Sequence, residues 1–201
     1  MLPPETTSTG ASLLEGGHLT PERAVEDWQR RMPEVSTANS EGKVRVVDQL
    51  PSPPSPPVLS SMEIVKRREI PGRQVHALAY KDTAGRPWFW IIRLIQRDNG
   101  SWLVCGGGGG SGDPHWDRPC INLAGTWGTY GLALGGRVTH AGVDQAASAR
   151  LRMGDTVLSD DIGGGIVLFV TSEPTVGSSA TVELLAQDGS ALWRDELDLD
   201  D

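Results

Sequence analysis

Residues 106–112 read Gly-Gly-Gly-Gly-Gly-Ser-Gly, directly behind the strand-like run Ser101-Trp102-Leu103-Val104-Cys105. Glycine loses more backbone freedom on ordering than any other residue and has no side chain to pack, so such a run specifies neither helix nor strand. It therefore predicts a break between two β-patterns. The expected layout is a polar, disordered tail over 1–17, a helix-plus-antiparallel-sheet module over 18–105, a glycine-rich linker loop over 106–117, and an antiparallel β-sandwich over 118–198. The expected fold class is mainly β, α+β overall.

The first module opens on a helix signal. Thr20 can cap with its hydroxyl, Pro21 suits the first helical position, and Glu22 complements the positive end of the helix dipole. Ala24, Val25, Trp28 and Met32 recur at helical spacing, and Pro33 is expected to end the helix. Val44–Val47 reads as a short strand. Pro51-Ser52-Pro53-Pro54-Ser55-Pro56-Pro57 reads as a polyproline spacer, since most of its residues lack an N–H.

From Val58 to Cys105 the pattern is β. In Trp88–Gln96 apolar residues fall on both faces, as in a strand covered on both sides. Asp98-Asn99-Gly100 signals a hairpin back through Trp102 and Val104. One helix on a meander of three or four strands resembles, in outline, the cystatin-like or nuclear-transport-factor-like α+β rolls. Lys66-Arg67-Arg68 reads as a solvated strand face.

After the glycines, short strands alternate with turn signals at Gly135-Gly136, Gly154-Asp155, Gly163-Gly164-Gly165 and Asp188-Gly189. Evenly spaced strands of this kind resemble an immunoglobulin-like sandwich in outline, although the Cys…Trp…Cys pattern of that family is missing.

Composition narrows the function classes. A net charge of −8 argues against nucleic acid, because phosphate binding needs a basic face. Met1–Thr7 carries neither the basic nor the apolar region of an export signal, and no apolar stretch approaches the ~20 residues of a membrane helix. A cytoplasmic protein with no membrane partner is expected. Cys105 and Cys120 would then stay reduced and pack as small hydrophobes.

Motifs for chemistry are sparse. A phosphate-binding loop ends in Gly-Lys-Ser/Thr and leads into a helix, whereas Asp113 and Pro114 follow the glycines here. Gly109-Gly110-Ser111-Gly112-Asp113 lacks the final glycine of a nucleophile elbow. Asp113, His115 and Asp117 alternate, with His140 as a conceivable fourth metal ligand, but Pro114 and Pro119 suit an irregular loop rather than an extended ligand face. No cofactor, metal or catalytic residue is expected.

What remains is aromatic. Trp116 and Trp127 lie in loop-like stretches with Tyr130 nearby, and His115 and Asp117 add polar groups. Large aromatics beside polar residues on loops either anchor a partner or plug a seam between modules. The candidate binding residues are therefore His115, Trp116, Asp117, Trp127 and Tyr130, with Trp127 expected buried and Trp116 on the rim. The expected function is a non-catalytic soluble binding module for another protein. The alternative is a small-ligand binder or enzyme with a pocket in the N-terminal α+β module.

Overall fold

A computed structural model describes residues 17–40, 55–111, 117–128, 131–175 and 179–199. Helix α1 spans Pro21–Ser40. The Thr20 hydroxyl accepts a hydrogen bond from the Arg23 N–H at 3.3 Å, and Ala24 N donates to the Thr20 carbonyl, so the start lies where the capping signal puts it. The end does not. The helix runs on through Pro33, whose fixed φ is helical even though its ring removes one internal hydrogen bond.

Among the described residues, eleven antiparallel strands follow in three sheets, and the architecture is mainly antiparallel β. The first sheet is the meander β1 (Glu63–Ile70), β2 (Arg73–Lys81), β3 (Pro87–Gln96) and β4 (Trp102–Ser111), in that spatial order. The second holds β5 (Ile121–Thr126), β6 (Leu132–Val138) and β9 (Ile166–Thr171), with β6 in the middle. The third has the order β11-β10-β7-β8, from β7 (Ala146–Met153), β8 (Thr156–Asp161), β10 (Ser179–Ala186) and β11 (Ala191–Asp198). Helix α2 (His140–Gln145) connects β6 to β7, its N-terminus capped by the Thr139 hydroxyl.

Three apolar layers bind these elements. Ala24, Val25 and Trp28 of α1 pack on Leu78, Ile92, Leu94, Trp102 and Val104. Val75, Ala77, Phe89 and Ile91, on the opposite face of the first sheet, meet Ala133, Ile166, Leu168 and Val170 of the second. Leu132, Leu134, Val167 and Phe169 point the other way, onto Ala149, Leu151, Val182 and Leu184 of the third. Strand β3 is thus covered on both faces, as its pattern predicts, and β9 is buried at every position. Because β4 lies against β5 and β1 against β9, the first sheet wraps over the second at both edges.

The glycine run differs most from expectation. Residues 106–111 are not a loop; they complete β4, paired with β3 from Arg93↔Gly106 to Trp88↔Ser111. The reason is space on both faces. A β-carbon on Gly107 would sit 2.6 Å from the Trp90 indole nitrogen, and one on Gly109 would collide with the same ring. On the opposite face a β-carbon on Gly108 would come within 2.9 Å of the Gly125 backbone in β5. Trp90, itself packed against Trp28 with ring centroids 6.0 Å apart, supplies the apolar cover that the glycines lack.

Two further expectations are corrected. Gly135-Gly136 is no turn but the middle of β6, where a β-carbon on Gly135 would lie 2.6 Å from Leu168 Cδ2 and 2.9 Å from Ile91 Cδ1. Lys66 and Arg68 are not a free solvated face: Lys66 is largely covered, Arg68 is half-buried, and both pair with Asp160. Lys66 Nζ lies 2.9 Å from Asp160 Oδ2 and donates to the Asp161 and Ile166 carbonyls at 2.7 and 3.0 Å. Arg68 pairs with the other Asp160 oxygen, while Asp160 Oδ2 also accepts from Leu168 N–H at 2.6 Å. Arg67 alone turns to the opposite face, where it meets Glu22 of α1 at 3.2 Å. Residues 44–47 and 51–54 lie outside the described residues. Pro57 bridges to Asp82 and Val58 N–H donates to the Lys81 carbonyl, extending the pairing along β2.

Candidate functional site

Alternation along β2 puts Arg73 on the same face as Val75 and Ala77, and alternation along β3 puts Arg93 with Phe89 and Ile91. Both arginines therefore point between the first and second sheets, just past the apolar core. Val75 pairs with Arg93 and Arg73 with Ile95, so the two lie diagonally on neighbouring strands. From the second sheet, Thr126 faces the same space, since it pairs with Ala133 of that core.

A β-bulge shapes this end. Arg93 pairs with Gly106 and Leu94 with Val104, which leaves Cys105 as the extra residue of β4. Gly106 takes φ 149°, open to glycine, and a β-carbon there would stand 3.2 Å from Thr126 Cγ2. Arg93 Nε donates to Cys105 Sγ at 3.1 Å, and Nη1 donates to the Gly131 carbonyl at 3.3 Å. The Arg73 guanidinium lies against the same turn, with Nη1 2.9 Å from where a Gly131 β-carbon would be.

The electrostatics are uneven. Arg93 is only 8% exposed, yet among the described residues no carboxylate pairs with it. Burial pushes the Cys105 thiol pKa up, against the opposing pull of Arg93 and Arg73, so the sulfur does not neutralise the guanidinium at neutral pH. Thr126 Oγ1 is buried with no partner among the described residues. Among the described residues the other buried ions are matched: Asp82 accepts from Arg86, Trp88 and two backbone N–H groups, Asp160 holds Lys66 and Arg68, and Glu183 holds Arg150 and Arg152.

Of the residues singled out from sequence, His115, Trp116 and Tyr130 lie outside the described residues. Asp117 is exposed ahead of β5, and Trp127 follows directly after β5. The six residues of β5 separate them, about 20 Å at ~3.3 Å per residue, so these two do not share a site. Trp127 is half-buried on the core between the second and third sheets, and its indole N–H has no acceptor among the described residues. The turn behind it is clamped by Thr175, whose hydroxyl accepts from Gly128 N–H at 3.0 Å. His140 sits at the Asp117 end, because the preceding Thr139 hydroxyl donates to the Arg118 carbonyl at 3.0 Å. Asp113 and His115 are not described, and no group of three metal-ligating side chains gathers among the described residues. Both cysteines are free.

Sequence reasoning missed the arginine pair. Arg93 sits in an otherwise apolar strand, and a charge at an inward position was the available signal.

A second polar group lies under α1. His76 is wholly buried; Nε2 is 2.9 Å from Gln74 Oε1, and Nδ1 has no partner among the described residues. Burial, with some help from the Arg67 charge, pushes its pKa down to about 4. Tyr80 lies further along the same face of β2, its hydroxyl pKa pushed up to about 12 by burial and the nearby Asp82.

No helix of the described residues is long and apolar enough to cross a membrane. No known family model matches the chain, and no curated protein matches its sequence.

Proposed function

We propose that this chain is a non-catalytic interaction module that recognises another protein with the end of the sheet stack where β5 turns into β6. Trp127 carries this reading. It is a half-buried indole directly after β5, beside Gly128 whose N–H is held by the Thr175 hydroxyl, and its own N–H is buried without an acceptor among the described residues. A large ring left partly open to solvent on a sheet scaffold is the composition of an interface anchor. In the same reading the strands from β5 onward are immunoglobulin-like in outline, supported by a three-stranded and a four-stranded sheet facing each other across one core.

The test is affinity capture from the protein's own host with the intact chain, Trp127→Ala and Asp117→Ala, each accompanied by a thermal melt. Trp127→Ala is expected to stay folded, losing about 2 kcal/mol for a half-buried ring, and to lose the captured partner. Asp117→Ala, at the far end of β5, is expected to retain it. Capture that survives Trp127→Ala removes this end of the molecule as the recognition surface.

The alternative, a small-ligand pocket under α1, is favoured by the unpartnered Nδ1 of His76. A ligand there would shift the His76 ring resonances in an NMR titration and leave those of Trp127 in place.

A further inference from the structure

The outermost strand of an antiparallel sheet carries a row of peptide groups with no neighbour to bond, a template for one more strand. Among the described residues β11 pairs with β10 alone, and no strand pairs along its other side. The remaining edges are covered: β4 lies against β5, β1 against β9, and β8 against β9. The third sheet also has four strands where the facing second sheet has three. With β8 held at β9, the surplus strand falls at β11. Trp193 and Leu197 accordingly reach the core between these sheets only in part, and both stay half-buried.

Alternation puts Asp195 between them, on the same core-facing side of β11. Asp195 is exposed, and among the described residues no cation pairs with it; its carboxylate accepts from the Glu196 N–H at 3.0 Å. The outward side of the strand is already balanced, since Arg194 pairs with Glu196 at 3.2 Å. A second copy of β11 does not suit this edge. Two copies related by a two-fold axis, with Trp193 opposite Leu197, would set Asp195 against its own copy, and like charges directly opposite each other are destabilising. A strand with a cation at that place turns the repulsion into attraction, and apolar residues two positions to either side would cover Trp193 and Leu197.

We infer that β11 receives an extended segment of the partner protein as a further strand, one in which a Lys or Arg facing Asp195 is flanked at alternate positions by apolar residues. The inference rests on the protein-recognition reading above and names the local chemistry of the partner. Main-chain hydrogen bonds hold such a segment, while the cation and its apolar neighbours fix its register.

The experiment uses the full chain and two defined peptides, acetyl-Thr-Ile-Thr-Lys-Thr-Ile-Thr-amide and the same peptide with Glu in place of Lys. Backbone amides and indole N–H groups are followed by NMR during titration at fixed ionic strength. Saturable binding of the Lys peptide is expected, with shifts centred on residues 193–197 and the Trp193 indole. The Glu peptide should bind at least about tenfold more weakly, and Asp195→Lys should reverse that preference. Asp195 is exposed, so Asp195→Lys is expected to keep the melting temperature of the unaltered protein.

Equal affinity for the two peptides, shifts centred away from β11, or no saturable shift at all would leave Asp195 as a guard of the edge and overturn the inference. A concentration-dependent dimer that shifts the same β11 amides would make the occupant a second copy, which also overturns it. Partner capture that is lost in Trp127→Ala but retained in Asp195→Lys keeps the recognition surface and removes β11 from it, so the two readings fail separately.

Discussion

His76 shows how one side chain can tie stability to pH. Its folded-state pKa of about 4 lies below the ordinary 6.5, so the unfolded chain takes up the proton first as pH falls. Stability is therefore undiminished above about pH 6.5, declines between 6.5 and 4, and loses no more to this group below that. The full effect is about 3–4 kcal/mol, at ~1.4 kcal/mol per pKa unit. Carboxylates such as Asp82, Asp161 and Glu183 are held below their ordinary values, so their contribution is lost at lower pH. Between pH 7 and 5 the loss belongs to His76. Urea midpoints at these two pH values should differ in the unaltered protein and converge in His76→Gln; an unchanged difference in the variant would assign the dependence to another group. The histidine is visible in the sequence as part of an alternating strand, but its burial is set by α1 lying across that strand.

Strand β4 holds the lesson at the level of elements. Propensity argues against a glycine strand, and propensity was overridden by neighbours on both faces: the Trp90 ring over Gly107 and Gly109, and the β5 backbone against Gly108. The five glycines are thus a packing solution rather than a hinge. Two substitutions separate these ideas. Gly108→Ala places a β-carbon 2.9 Å from immovable backbone atoms of Gly125 and should cost about 1–3 kcal/mol, through strain or separation of β4 from β5. Gly110→Ala meets Phe89 Cε1 at 3.3 Å and Asn122 Nδ2 at 3.4 Å, both side-chain atoms that can give way, and should cost under about 1 kcal/mol. Equal effects in denaturant titrations would show that the gap between the strands does not govern the sequence here. The same close approach explains why Gly135-Gly136, a turn signal when read locally, lies inside β6.

Across the whole molecule, the sheets are joined by shared side chains rather than by a tether. Val75, Ala77, Phe89 and Ile91 from the first half interleave with Ala133, Ile166, Leu168 and Val170 from the second. Asp160 adds an ionic clasp, its fully buried carboxylate holding Lys66 and Arg68 of β1 to β8 and β9. Both halves should therefore unfold in one transition, with tryptophan fluorescence and far-ultraviolet dichroism coincident. Asp160→Asn leaves two cations facing a neutral amide and should lower stability by about 3–5 kcal/mol, the usual cost of breaking a buried pair. Two separated transitions in the unaltered protein would show instead that the halves fold independently.

Local signals were enough for the start of α1, for most strands, and for a β3 covered on both sides, because capping, alternation and turn chemistry act within a few residues of one another. They also marked the turn after β5 through Trp127. They did not reveal that a glycine run would be a strand, that Lys66 and Arg68 would face inward, or that Arg93 would be buried beside Arg73. Each of those outcomes depends on residues far away in the chain: Trp90 and Gly125 for the glycines, Asp160 for the lysine and arginine, Gly131 and Thr126 for the arginine pair. A sequence pattern reports which face of an element is apolar. Only the packing of sheet on sheet decides which polar groups that face carries out of water, and which of them is left without a partner.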